Sequence, residues 1–172
     1  GRITDHRCPV IAMISGLAIG AGCDIATACD LRLAAETAVF QIPISRIGAI
    51  YDHDAVQRLI DLVGAAAAKE LLYTGNTISA NKAKEIGLVN QVLDSKELES
   101  VTYEMAGVIA RNAPLTVGAS KRIISKVMKR LPLSEVDEEE NRRLIAGCMT
   151  SYDLQEGIRA FKEKRVPNFE GR

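Results

Sequence analysis

The sequence has no excess of either charge: 22 Lys and Arg face 22 Asp and Glu over 172 residues. A chain balanced in this way has no overall field to draw in nucleic acid or an anionic membrane surface, so any phosphate recognition has to be local. Histidine is scarce. Only His6 and His53 are present, far apart, which argues against a histidine-based metal site. The four cysteines, Cys8, Cys23, Cys29 and Cys148, form no CxxC pair and lie mostly in apolar surroundings. That reads as buried thiols in a reducing compartment rather than a disulfide frame or a zinc site. A membrane-spanning run is missing too. The uncharged stretch from Pro9 to Cys23 is shorter than the roughly 20 residues a spanning helix needs, and Gly16, Gly20 and Gly22 interrupt it, so it is expected in the core.

No fixed-period repeat, low-complexity tract or long linker divides the chain. With 47% hydrophobic and 26% charged residues, one globular domain with a real core is expected. The β-branched run Val10 to Ile14, between Pro9 and Gly16, reads as a buried strand, and Gly22 to Asp30 as a short helix. Leu31 to Ala34 and Thr37 to Phe40 read as further strands, an alternation that marks an α/β fold. After Gly48 the pattern becomes helical: Ala55 to Val63, Ala65 to Tyr73, and Asn81 to Ile86 behind Ser79, with Gly64, Gly75 and Gly87 as stops. Val89 to Leu93 is one more strand. Helices then follow over Lys96 to Arg111, Pro114 to Arg130, Glu135 to Met149 and Tyr152 to Lys164, the second opening on a proline suited to a first helical turn. Residues 1–94 thus read as the core part, and 95–172 as a helical region that packs on that core and on neighbouring subunits.

One stretch carries chemistry. Gly16-Leu-Ala-Ile-Gly-Ala-Gly-Cys-Asp24 is a glycine-spaced turn after an apolar strand, closing on a carboxylate as a helix begins. Such a turn aims backbone N–H groups and one acid at the same small volume, as a reacting carbonyl requires.

The segment from Pro9 to Asp30 resembles the central signature of the crotonase, or enoyl-CoA hydratase/isomerase, superfamily. Phe40-Gln-Ile-Pro43, Gln57-Arg-Leu59, Leu72 to Ala80, Ala83 to Asn90, and Ala160 to Arg165 with Phe169 match it further on, in order. The resemblance implies a crotonase-like spiral of ββα units with a helical C-terminal trimerisation region, assembled as a homotrimer or dimer of trimers. It implies a coenzyme A thioester as substrate, with no separate cofactor and no metal. The sequence does not open on Met and enters a strand at once, so the N-terminal part of that fold, with a second oxyanion donor, is expected to be missing. A cytoplasmic location is expected, with a mitochondrial one open.

By resemblance, Ala21 and Gly22 supply the oxyanion hole at a helix N-terminus, where the dipole adds to the effect. Asp24 matches one of two acidic positions, usually glutamate; an acid in a first helical turn is also simply favoured by the dipole. The second acidic position falls on Ile44, which cannot transfer a proton, so hydration by a carboxylate pair is not expected. Pro43, Ile44 and Gly48 are assigned to the substrate pocket. Tyr51 and His53 stand in the following loop as candidate proton donors. Alternatively, Asp52 or Asp54 caps a helix there and leaves His53 solvated. Phe161 and Lys164 match coenzyme A-binding positions; otherwise they are a core aromatic and a solvated charge.

The leading expectation is an acyl-CoA enzyme working through an oxyanion-stabilised enolate. Ile50-Tyr51-Asp52, Tyr152 to Gly157 and the Pro-Asn-Phe-Glu-Gly ending resemble the methylmalonyl-CoA decarboxylase branch, which is the alternative within the superfamily. From another class, the alternative is a non-catalytic acyl-CoA-binding or assembly protein.

Overall fold

Parallel strand pairing organises the first half of the chain in the computed structural model, which describes residues 3–111, 114–128, 139, 142, 146, 147, 149–165, 167 and 168. Strands β1 (Ile11–Ile14), β3 (Leu31–Ala35) and β6 (Gln91–Leu93) form one sheet in the order β1-β3-β6, parallel throughout. Strands β2 (Leu17–Ile19), β4 (Val39–Gln41) and β5 (Ile78–Ser79) form a second sheet. Its β2 and β4 run parallel, and β4 and β5 antiparallel. Helix α1 (Ala21–Ala28) leaves β2 and leads into β3, so two parallel pairs are made through one short helix. This is the α/β alternation expected, and parallel strands need such crossovers.

The two core clusters follow from that layout. Phe40, Ile42, Leu59, Leu88 and Cys23 are buried together between the second sheet, α1 and α2 (His53–Thr74). Leu33 and Ala35 on β3 form the other cluster with Leu98 of α4 (Leu98–Arg111). Helix α3 (Ala80–Glu85) follows β5 directly, capped by Ser79, whose hydroxyl accepts from the Lys82 N–H. Helices α5 (Pro114–Met128) and α6 (Tyr152–Glu163) complete the described elements.

Two strands escape the sequence pattern, each for a physical reason. In β2 the exposed positions are Leu17 and Ile19 and the buried one is Ala18, so the large apolar side chains point outward. Alternation by size does not reveal such a strand. β5 has only two residues, too few for any periodicity. Helix α2 is assigned as one element, yet Gly64 sits at φ 73, ψ 163 inside it, so the break expected there is real and falls between two helical halves. Cys23 and Cys29 are buried thiols as expected, whereas Cys8 is exposed in the stretch before β1 and corrects that expectation. The helix expected over Glu135 to Met149 falls largely on residues outside those described, as do Cys148 and Phe169.

Helix α6 lies against the turn after Pro43–Arg46. Gly48 adopts φ 70, and a Cβ there would stand 2.5 Å from the Asp153 carbonyl carbon. Gly157 approaches from the other side, where a Cβ would overlap the Ile47 carbonyl. The helix is held at its far end by Glu156, whose buried carboxylate takes both Arg165 guanidinium arms and the Asn168 N–H.

Candidate active site

The start of α1 is built without a side-chain cap. Its N-cap is Gly20, at φ 54 and ψ −116, a conformation open to glycine and strained for residues with a Cβ. The Gly20 N–H is fixed by the Gln41 carbonyl of β4 at 2.9 Å, and the Asp24 N–H makes the first helical bond, to the Gly20 carbonyl, at 3.0 Å. The N–H groups of Ala21, Gly22 and Cys23 have no acceptor among the described residues. No heavy atom lies within 4 Å of a Cβ built on Gly20 or Gly22, so the space beside this turn is open. Three free N–H groups at the positive end of a helix make an anion-seeking surface.

Asp24 extends from the same turn, and α2 brings Arg58 to it: Nη2 stands 2.6 Å from Oδ1. Both side chains keep partial exposure, 27% for Arg58 and 34% for Asp24, so the pair borders the open space rather than the core. The Arg58 Nε is buried and has no hydrogen-bond partner among the described residues. Arg58 was visible in the sequence only as the middle of Gln57-Arg-Leu59. The signal available was a cation next to the core-facing Leu59 on a helix, and its partner lies 34 residues away.

Tyr51 reaches the site from the loop before α2. Its ring packs on the main core, and its hydroxyl donates to the Gly20 carbonyl at 2.6 Å. Burial of the phenol, reinforced by Cys23 and Asp24 and opposed by Arg58, pushes its pKa above the ordinary tyrosine value, so it holds its proton. Cys23 is also raised, to about 12, by burial first and then by Asp24. Its thiol is not a nucleophile at neutral pH.

The remaining candidates are spread more widely. Ile44, in the turn Pro43–Arg46, is half-buried against the main core. Asp52 is the helix cap, accepting from the Ala55 N–H at 2.8 Å. His53 occupies the first position of α2, with Nδ1 3.5 Å from Asp54, and no hydrogen bond or ion pair joins it to Asp24 or Tyr51 among the described residues. Phe161 is 80% exposed on α6, so it is no core aromatic, and Lys164 is the exposed left-handed C-cap of the same helix at φ 54. An apolar cavity of about 620 Å³, lined by Pro9, Ile11, Met13, Tyr103, Ile109 and Val117 among others, shares no lining residue with this site. Among the described residues, no group of three or more His, Cys, Asp or Glu is placed to hold a metal, and no helix is long and apolar enough to cross a membrane.

Residues 1–172 match the family model for enoyl-CoA hydratase/isomerase. The chain belongs to that family. It is 38% identical over 167 residues to a probable mitochondrial enoyl-CoA hydratase of Dictyostelium discoideum, covering 97% of this chain and 60% of the relative. It is 40% identical over 153 residues to a short-chain-enoyl-CoA hydratase of Clostridioides difficile, covering 89% of this chain and 97% of the relative. Among solved structures, a methylmalonyl-CoA decarboxylase superposes with a TM-score of 0.92 at 30% identity, covering 99% of this chain and 66% of that one. The crotonase-like α/β fold is thereby established. The chain spans 60% of the length of the Dictyostelium relative and 62% of a Bacillus subtilis putative enoyl-CoA hydratase/isomerase.

Proposed function

We propose that this enoyl-CoA hydratase/isomerase family member acts on an acyl-CoA thioester through an enolate-like state. The observation that carries the reading is the start of α1, where three partnerless N–H groups and Asp24 share one helical turn. The thioester oxygen is taken by the Ala21 N–H, with Gly22 beside it, and gathers charge as the α-carbon becomes electron-rich. By resemblance, a second donor comes from an upstream loop of the family fold. Asp24 then moves the proton, as base in a double-bond shift or as the acid that returns it. Hydration by two carboxylates is disfavoured, because Ile44 stands at the second position and packs into the core.

Decarboxylation of a malonyl-type thioester is the second reading, favoured by that same Ile44. Loss of carbon dioxide needs an oxyanion hole and a later proton, but no base to activate water, and an apolar wall does not repel the departing carboxylate. The likeness to the decarboxylase structure supports it, while the hydratase names among the relatives support the first. The exposed face of α6, with Phe161 and Lys164, is assigned to coenzyme A and to packing within a homotrimer or dimer of trimers.

Titration calorimetry with crotonyl-CoA and a malonyl-type thioester, followed by product analysis, tests these readings. Saturable binding with turnover of one class is expected, and turnover of the malonyl type alone selects the decarboxylase. Binding without turnover of either leaves the non-catalytic reading, and no binding of any acyl-CoA overturns the proposal.

A further inference from the structure

Tyr51 spends its proton on the Gly20 carbonyl, at 2.6 Å, and that carbonyl belongs to the same peptide group as the Ala21 N–H. The peptide is planar and trans, so its C=O and N–H point in opposite directions within one plane. Whatever holds the Gly20 oxygen on one side therefore aims the Ala21 N–H toward the other. At φ 54 and ψ −116, Gly20 sits in the mirror image of the first central position of a type II turn. Rotating the 20–21 peptide by about half a turn leads to the mirror image of a type I turn, which asks for positive φ at Gly20 and at Ala21 alike. Gly20 takes either form, whereas Ala21 carries a Cβ and resists the second, so a hydrogen bond on the Gly20 oxygen adds to a bias the backbone already has. In the flipped arrangement the Ala21 N–H turns away from the open space in front of Gly22, and the carbonyl replaces it there.

Resting on the acyl-CoA reading above, we infer that Tyr51 is a positioning residue that locks the Gly20–Ala21 peptide in the orientation presenting the Ala21 N–H to the thioester oxygen. The Asp24 N–H shares the work, at 3.0 Å from the same carbonyl, but it is itself backbone and follows the helix. Tyr51 is the side chain that ties the peptide to the rest of the protein, through a ring packed on the main core. Its hydroxyl also polarises the amide, because a hydrogen bond accepted at C=O strengthens the donor at N–H. With its hydroxyl donating to the Gly20 oxygen, Tyr51 stands behind the donor, at the opposite edge of the peptide group from the substrate oxygen. Among groups around the phenol, Cys23, Asp24 and Arg58 carry or can carry charge, and burial keeps the hydroxyl protonated.

The test is the carbonyl stretch of a bound thioester carrying ¹³C at C1, read by infrared difference spectroscopy in the full-length protein and its Tyr51→Phe variant. The wild-type band should shift to low frequency on binding, and the variant should lose a clear part of that shift. Affinity for a nitronate analogue, which carries negative charge at the enolate oxygen, should fall about tenfold, the size of one hydrogen bond's influence. Affinity for a thioether analogue without the carbonyl should not change. Replacing Tyr51 with a fluorinated tyrosine, a stronger hydrogen-bond donor of the same shape, should deepen the shift, and this arm remains decisive if the phenylalanine variant folds poorly. Deuterium from D₂O should enter product on the same face in wild type and Tyr51→Phe. An unchanged carbonyl band in both variants, or loss of facial selectivity with the band unaltered, overturns the inference and makes Tyr51 a proton donor to substrate. Absence of acyl-CoA binding by the wild type removes the proposed function itself, a result distinct from either.

Discussion

Two helix starts in this chain are solved in opposite ways. At α2, Asp52 caps the helix and its carboxylate answers the Ala55 N–H at 2.8 Å; at α6, Ser151 does the same for Leu154 at 3.0 Å. At α1 the cap is glycine, and among the described residues no side chain answers and the first three N–H groups are left free. The first arrangement satisfies donors and contributes stability. The second forgoes that stability and keeps the donors for something that arrives. On the proposed acyl-CoA reading, the difference separates the parts of the sequence that hold the fold from the part that meets a substrate.

The comparison breaks most sharply at Gly20. Gly20→Ala puts a Cβ on a residue at φ 54, and turnover of the preferred acyl-CoA should fall by about 10²-fold, as when an oxyanion donor is lost, with about 1 kcal/mol lost from folding. Steady-state kinetics and thermal unfolding read the two effects separately. Asp24→Ala should lower kcat by about 10²-fold while changing stability by less than about 1 kcal/mol, since its ion pair with Arg58 is partly exposed. Full turnover in that variant would remove Asp24 from the chemistry.

On the structural side, Glu156→Gln should lower the melting temperature at neutral pH. The Arg165 guanidinium, with help from the Asn168 N–H, holds the Glu156 carboxyl at about 2, below the ordinary 4.5. Because the folded-state value is depressed, this contribution is full above the ordinary value and disappears as pH falls through the folded one. The gap in melting temperature between wild type and variant should therefore close on acidification across that window. Ser79→Ala removes an ordinary cap from α3 and should cost about 1 kcal/mol in urea unfolding, with kcat unchanged. Smallest of all is a difference in labelling: a maleimide at pH 8 should modify exposed Cys8 well before Cys23, whose thiol is buried and raised to about 12.

Much of this was legible in the chain itself. The strand from Val10, the helix after Gly22, the Ser79 cap and the break at Gly64 follow from local chemistry that neighbours do not override. The glycine spacing also announced a turn with free N–H groups. What stayed hidden depends on distance or on inverted size. β2 turns Leu17 and Ile19 outward and Ala18 inward, contrary to the rule that large apolar residues go inside. Arg58 finds Asp24, and Tyr51 finds the Gly20 carbonyl, across separations of 34 and 31 residues, which no window along the sequence spans. Tyr51 was singled out as a candidate proton donor, and in the fold its hydroxyl is engaged in a hydrogen bond. Its recipient in the fold, a backbone oxygen, has no signature in residue type.

The crossing of α6 over the turn at Ile47 and Gly48 has a consequence for how this protein tolerates change. Position 157 meets the Ile47 carbonyl, and position 48 meets the Asp153 backbone, each with no room for a methyl group. A side chain at either position acts as a wedge between α6 and the short segment that begins at Pro43 and ends at Tyr51. Two glycines more than a hundred residues apart thus form a single mutational unit. Either substitution strains the same crossing, beside the segment that carries Ile44 and Tyr51.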